Sequence, residues 1–347
     1  MDDFGRVCPE EDGAPCQDIA LTFWAFAAVG IVYRPLLASL SNIAQYRVHQ
    51  LNLQNVSNIA WALASLLLKD RPLLSALAQH STVGFSGETF GPQEVSNTVW
   101  AFATLAVYDA PLLEVLLQAA TERLSEYNAQ ELSNTVWSIA NLAMLDSSLV
   151  DAIADAVQGE IGEFDAQNLA NTVWAMASMV YINAPVFDAI ARRSVDKMPE
   201  FGLQALANTL WACATLSVVD LPLVDAIATQ AFGLLKQTCP TMEKTDGFLV
   251  DICALGWSFT FLSWQHPILG EIRDVVREVG ARMDLAAGFL STRPHTTDAV
   301  HRTQRAAKTQ QPTVLGLHSG ICIVLKPPGW EVDSQGQSGL RRLSSFL

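Results

Sequence analysis

A tryptophan ruler constrains this chain more than any other feature. Trp24, Trp61, Trp100, Trp137, Trp174 and Trp211 are separated by 37, 39, 37, 37 and 37 residues. A fixed period between about 20 and 50 residues marks a repeat array, whose units cannot bury their apolar faces alone and must stack. The one longer gap coincides with the Gly-containing segment Ser81 to Pro92, which reads as a two-residue loop insertion.

The register holds position by position. Seven residues before each Trp stands Gln17, Gln54, Gln93, Gln130, Gln167 or Gln204. Three before it stands Asn58, Asn97, Asn134, Asn171 or Asn208, with Leu21 in the first copy. Three after it the residue is always alanine, and eleven after it stands Pro35, Pro72, Pro111, Pro185 or Pro222, with Ser148 the departure.

Each unit carries its own helix punctuation. Asn52, Gly91, Asn128, Asp165 and Gly202 precede the Trp by nine and suit an N-cap. Glu94 and Glu131 follow their caps by three, as in a capping box, and Phe90, Tyr127, Phe164 and Phe201 can staple onto the apolar residue five later. A first helix, A, is therefore expected from just after the cap to about two turns beyond the Trp. Asp70, Asp109, Asp146, Asn183 and Asp220 can cap a second helix, B, with the proline falling in its first turn. The expected fold is all-α: a right-handed-type α-solenoid of six to seven 37-residue helix pairs, with a short C-terminal strand and turn segment.

The array frays after its sixth copy. Trp257 lies 46 residues beyond Trp211, and its Gln and Asn positions hold Val250 and Ala254, as in a degenerate capping unit. The expected organisation is a tail over 1–14, the array over 15–240, the cap over 241–290, a polar basic linker over 291–312 and a separate segment over 313–347.

On a helix the positions −7, −3, 0 and +4 relative to the Trp fall within about 60° of each other, so Gln, Asn and Trp form one stripe. Val95, Phe102 and Leu105 show the opposite, apolar side in the third copy. Two readings stand side by side. In one, Asn97, Asn134, Asn171, Asn208 and the Trp residues are structural, with the amides as glue between units. In the other, the Gln residues and their variable neighbours Asn55, Glu94, Glu131 and Asn168 face a ligand, one residue per unit, as helical-repeat RNA readers do. The capping role is the alternative for those neighbours.

Half of the residues are hydrophobic and 16% are charged, enough to bury a large core and exclude general disorder. The six cysteines form no CxxC pair and read as single thiols of a reducing compartment. No phosphate loop, nucleophile elbow, metal cluster or histidine pattern is present, so no catalytic residue, metal or cofactor is expected. The uncharged run Ala166 to Phe187 is long enough to span a bilayer but repeats the array pattern, and reads as a solenoid helix pair. The acidic N-terminus has the features of neither a signal nor a transit peptide.

The Gln-xxx-Asn-xx-Trp-Ala-x-Ala pattern over about residues 15–235 resembles the organellar helical-repeat RNA-binding families: octotricopeptide and heptatricopeptide repeats, FAST-kinase-like and RAP-associated arrays, and subunit six of the RNA-editing substrate-binding complex. The resemblance implies a single-stranded organellar RNA as partner, a role in RNA processing, modification or stability, and a mitochondrial or plastid location; it implies neither DNA nor a membrane. Near the C-terminus, Ile321 to Gly329 is similar to the opening strand and Lys-Pro-Pro-Gly turn of RluA-type pseudouridine synthases. That family's His-Arg-Leu-Asp motif is absent from this sequence, so the chain as given is not expected to isomerise uridine; it reads as a scaffold or as a targeting arm.

Charge complicates an RNA partner. Residues 1–290 carry 14 Lys and Arg against 32 Asp and Glu, a net of −18, and the rest carry a net of +4. An acidic array repels a polyanion unless its cations line one groove. Arg34 and Arg71, which share a register, and Arg192-Arg193 offer a thin path; Arg293, Arg302, Arg305 and Lys308 in the linker are the best local phosphate contacts. A protein scaffold docking a basic partner is the competing expectation.

Overall fold

The computed structural model describes residues 15–83, 90–144, 146–237, 245–264 and 266–275, and the backbone of short strands between 313 and 342. The N-terminal tail, residues 84–89 within the Ser81 to Pro92 insertion, the linker over 291–312 and the Lys-Pro-Pro-Gly turn lie outside these residues. The chain divides into two compact units, Met1–Ala231 with Phe261–Ser263, and Phe232–Thr260 with Trp264–Leu347.

Helices alternate as the repeat demands. The A helices are α1 (Cys16–Ala28), α3 (Leu53–Ser65), α5 (Pro92–Thr104), α7 (Ala129–Asn141), α9 (Ala166–Ser178) and α11 (Leu203–Leu216). The B helices are α2 (Arg34–Tyr46), α4 (Arg71–Val83), α6 (Ala110–Arg123), α8 (Ser147–Glu160), α10 (Ala184–Asp196) and α12 (Leu221–Gln237). Each A helix packs along the A helix of the next unit, while α2, α4, α6, α8 and α10 form a second, more loosely packed layer. Alanines explain the difference, since Ala60, Ala62, Ala101, Ala175 and Ala212 are fully buried and let neighbouring A backbones approach closely. Among the described residues no helix is long and apolar enough to cross a membrane; Ala166 to Phe187 is split between α9 and α10.

The expected caps are in place. Asp109 Oδ1 accepts from the Leu112 N–H at 3.2 Å, Asp220 Oδ1 from Leu223 at 2.9 Å, and Asp70, Asp146 and Asn183 act alike. Asn128 and Glu131 form a full capping box, and Asn52 and Asp165 cap with their side chains. Gly91 and Gly202 have no side chain to cap with. Phe90, Phe164 and Phe201 are buried together with Val95, Leu169 and Leu206, their intended staple partners. Each such side chain removed from water contributes about 2 kcal/mol.

The A helices end sooner than the pattern suggests. They stop one turn after the Trp, because the sixth residue after it turns left-handed: Gly30, Leu67, Ala106, Ala143, Val180 and Ser217 have φ between 48° and 67°. Paired bonds close each end as a Schellman motif, for example Leu68 N–H to Leu63 O at 2.8 Å with Leu67 N–H to Ala64 O at 3.0 Å. Short 3-10 turns, such as Leu124–Glu126 and Met198–Glu200, lead into the next A helix.

After the six pairs, α13 (Thr245–Phe261) carries Trp257 and ends as the A helices do. Ser263 has φ 54°, and the Trp264 N–H bonds Phe259 O at 2.9 Å. Helical residues 268–275 follow. Toward the C-terminus, β1 (Thr313–His318) and β2 (Ile321–Leu325) pair antiparallel with a bulge between Val314 and Gly316. β3 (Trp330–Glu331) and β4 (Arg341–Arg342) pair parallel.

Candidate functional site

Within the first unit, the stripe grouped by periodicity lies on the accessible edge of the A layer. Gln54, Gln93, Gln130, Gln167 and Gln204 are exposed. Asn58, Asn97, Asn134, Asn171 and Asn208 are half-buried, as are Trp61, Trp100, Trp137, Trp174 and Trp211, and Trp24 is exposed. The flanking positions of the same helices, Val95, Leu132, Leu169 and Leu206, are buried. One face of each A helix thus holds the unit together and the other presents two carboxamides and an indole.

The indoles form a ladder from unit to unit. Ring centroids of Trp137 and Trp174 lie 6.4 Å apart with planes at 34°, and those of Trp174 and Trp211 lie 6.1 Å apart at 31°. Trp174 lies between the other two rings, and all three indoles stay half-buried. Among the described residues no side-chain hydrogen bond holds the five Asn or the five Gln of the stripe, and a carboxamide offers two donors and one acceptor oxygen. Asn141, four residues after Trp137, instead donates to the Trp137 carbonyl at 3.0 Å.

The residues beside the Gln row turn inward. Asn55 is 6% exposed. Asn168 Oδ1 accepts from the Ser133 hydroxyl of the preceding unit at 3.1 Å. Glu131 accepts from the Asn128 N–H at 2.9 Å in the capping box. Burial raises the Glu131 carboxyl above its ordinary pKa, the Asn128 N–H opposes that rise, and nearby Glu94 adds to it. The Glu94 carboxylate folds back over Gly91.

Cations are scarce, and several of those in the first unit are engaged. None of the six A helices contains Lys or Arg, while they carry Asp18, Glu94 and Glu131. Arg193 donates to the Gly162 carbonyl, Arg123 pairs with Glu126 and donates to Phe90 O at 3.1 Å, and Lys197 pairs with Glu200. Lys69 donates to Ala106 O at 3.0 Å. Arg34 and Arg71 are exposed at the starts of α2 and α4. Gln54 sits at the other end of α3 from Arg71, roughly 20 Å away at 1.5 Å per residue. Arg293, Arg302, Arg305 and Lys308 lie outside the described residues.

Sequence reading missed a set of clamps from the B helices to the chain entering the A helix of the same unit. His80 Nε2 donates to Leu51 O at 2.9 Å and Gln230 Nε2 to Phe201 O at 3.3 Å. His80, Arg193 and Gln230 all stand nineteen residues after their Trp. Aligning the B helices on that register would have found them.

Stacked helix pairs with one recurring side-chain row define a helical-repeat scaffold. Residues 12–147, from α1 through α7, match the family model RNA-editing substrate-binding complex 6 protein, so over that segment the likeness to this helical-repeat family is a finding. No curated protein matches the chain.

Proposed function

We propose that this protein is a scaffold of an organellar RNA-processing assembly, and that the Gln-Asn-Trp edge of its A layer holds single-stranded RNA by the bases. The observation that carries this reading is the row of amides with no side-chain hydrogen bond among the described residues, set beside half-exposed indoles at one-unit spacing. Unpaired bases stack on aromatic faces and offer their edges to amides, which is how proteins read single-stranded RNA. The family match supports RNA processing as the setting and, through that family, a mitochondrial location.

The lack of Lys and Arg along the A helices sets the mode of binding. Phosphates face away from the edge, and affinity comes from stacking and amide contacts. Counterion release makes phosphate-driven binding fall steeply with salt, with a slope near −0.7 per phosphate contact on single strands. Fluorescence anisotropy with a labelled single-stranded 20-mer RNA across a salt series tests this. The expected log–log slope is about −1 or shallower. A slope steeper than about −3, or no binding at low salt, overturns it.

A further inference from the structure

A second surface runs along the turns between A and B helices, at the other end of the A helices from the Gln row. Among the described residues, more than half of the large hydrophobic side chains left exposed fall in these turns, including Val32, Leu67, Tyr108, Val180, Ile182 and Val219. They recur at the sixth and eighth positions after the Trp. Neighbouring units touch along this surface: Lys69 Nζ of one turn reaches Ala106 O of the next, and Tyr181 Oη donates to Asp151 near the start of α8. The ridge is therefore continuous from unit to unit where these bonds lie. Exposed apolar surface of this kind marks interaction sites on soluble proteins.

Strain singles out the same ridge. Leu67 and Val180 hold φ of 53° and 54° while 74% and 69% exposed. Left-handed backbone is unfavourable for L-residues and an outlier for a β-branched one. Neither side chain gains enough burial to offset it. Gly30 occupies the equivalent place in the first unit, so the turn itself needs no side chain there. Strained, exposed and apolar side chains in a turn that glycine can make point to a role beyond folding.

The surroundings specify the partner. Between the fifth and sixth units, Met176, Ile182, Phe187, Leu216 and Val218 line an apolar cleft, and the exposed Asp188 lines it too. Asp188 belongs to a row at the fourteenth position after each Trp, with Glu114, Asp151 and Asp225, all exposed in four consecutive units. Carboxylates beside apolar clefts repel phosphate and attract cationic side chains.

We propose that this ridge docks a protein segment whose apolar side chains enter the clefts between successive turns and whose Lys or Arg residues meet the carboxylate row. It is independent of RNA at the amide edge. Selection of a random-peptide phage library on the purified full chain tests it. The expected winners combine Leu, Ile, Phe or Trp with Lys or Arg. Their affinities should fall at least 10-fold on Ile182→Ser and on the Asp151→Lys, Asp188→Lys double variant, and stay unchanged on Asn171→Ala. Val180→Gly serves as a second ridge variant, since it relaxes the turn and removes the side chain without threatening the fold. Four results overturn the proposal: no enriched peptide, acidic winners, winners indifferent to the ridge variants, or a wild-type dimer in sedimentation that Ile182→Ser abolishes. Loss of single-stranded RNA binding in the ridge variants, with peptide binding intact, also counts against it.

Discussion

Replacing Val180 by glycine should stabilise the array, although it deletes a hydrophobic side chain. Val180 sits just past the end of α9 at φ 54°. Left-handed backbone costs an L-residue about 1–2 kcal/mol, and a β-branched side chain belongs at the upper end. Against that relief stands the greater conformational freedom of glycine in the unfolded chain, about 0.5–1 kcal/mol. The valine is 69% exposed, so less than a third of the roughly 2 kcal/mol for burying such a side chain is lost. The balance favours Val180→Gly by about 0.5 kcal/mol, or a rise in Tm of roughly 1–2 °C for an array of this size. Calorimetry and urea unfolding of the same pair check it, because long arrays depart from two-state melting. The converse change, Gly30→Val, should cost about 1 kcal/mol, the strain less the lost freedom of glycine in the unfolded chain. A lower Tm for Val180→Gly, or no loss for Gly30→Val, refutes the strain argument.

Other substitutions test neighbouring parts of the account. Asp146 accepts from the backbone at both Ser148 and Leu149, so Asp146→Ala should cost about 1 kcal/mol in urea unfolding. Burial lifts the Asp251 carboxyl to about 6. Its folded pKa exceeds the unfolded one, so the stability it supplies is complete at pH below about 4 and fades as pH rises through 6. After discounting for its partial exposure, Asp251→Asn should gain about 1 kcal/mol at pH 8 and nothing near pH 4. The Cys213 thiol, buried and pushed up to about 12, should react with a thiol reagent only after denaturation, while Cys16 reacts in the native protein.

Much of this architecture was legible in the sequence, and physics separates what was from what was not. The ruler, the caps at Asp109 and Asn128 and the prolines of the B helices are local signals, each tied to one backbone need. The left-handed ends were not legible: Leu67, Ala106, Val180 and Ser217 share no residue type. Their conformation comes from the Schellman bonds and from packing. Periodicity placed Gln, Asn and Trp on one stripe, but it cannot say whether a stripe meets solvent or the next unit. That depends on how the alanines on the other face draw the A helices together. Arg193 shows the same limit. As a sequence letter it was part of a thin basic path; in the fold its guanidinium is held by the Gly162 carbonyl.

The most direct measurement compares stability with RNA affinity in the triple variant Asn134→Ala, Asn171→Ala, Asn208→Ala. These amides bond to nothing in the fold among the described residues, so unfolding free energy should stay within about 0.5 kcal/mol per site. Each lost amide contact is worth about 1 kcal/mol, so affinity for single-stranded RNA should fall about 100-fold. A variant that loses stability at each site while binding RNA as before would contradict the account, and would make the row internal glue.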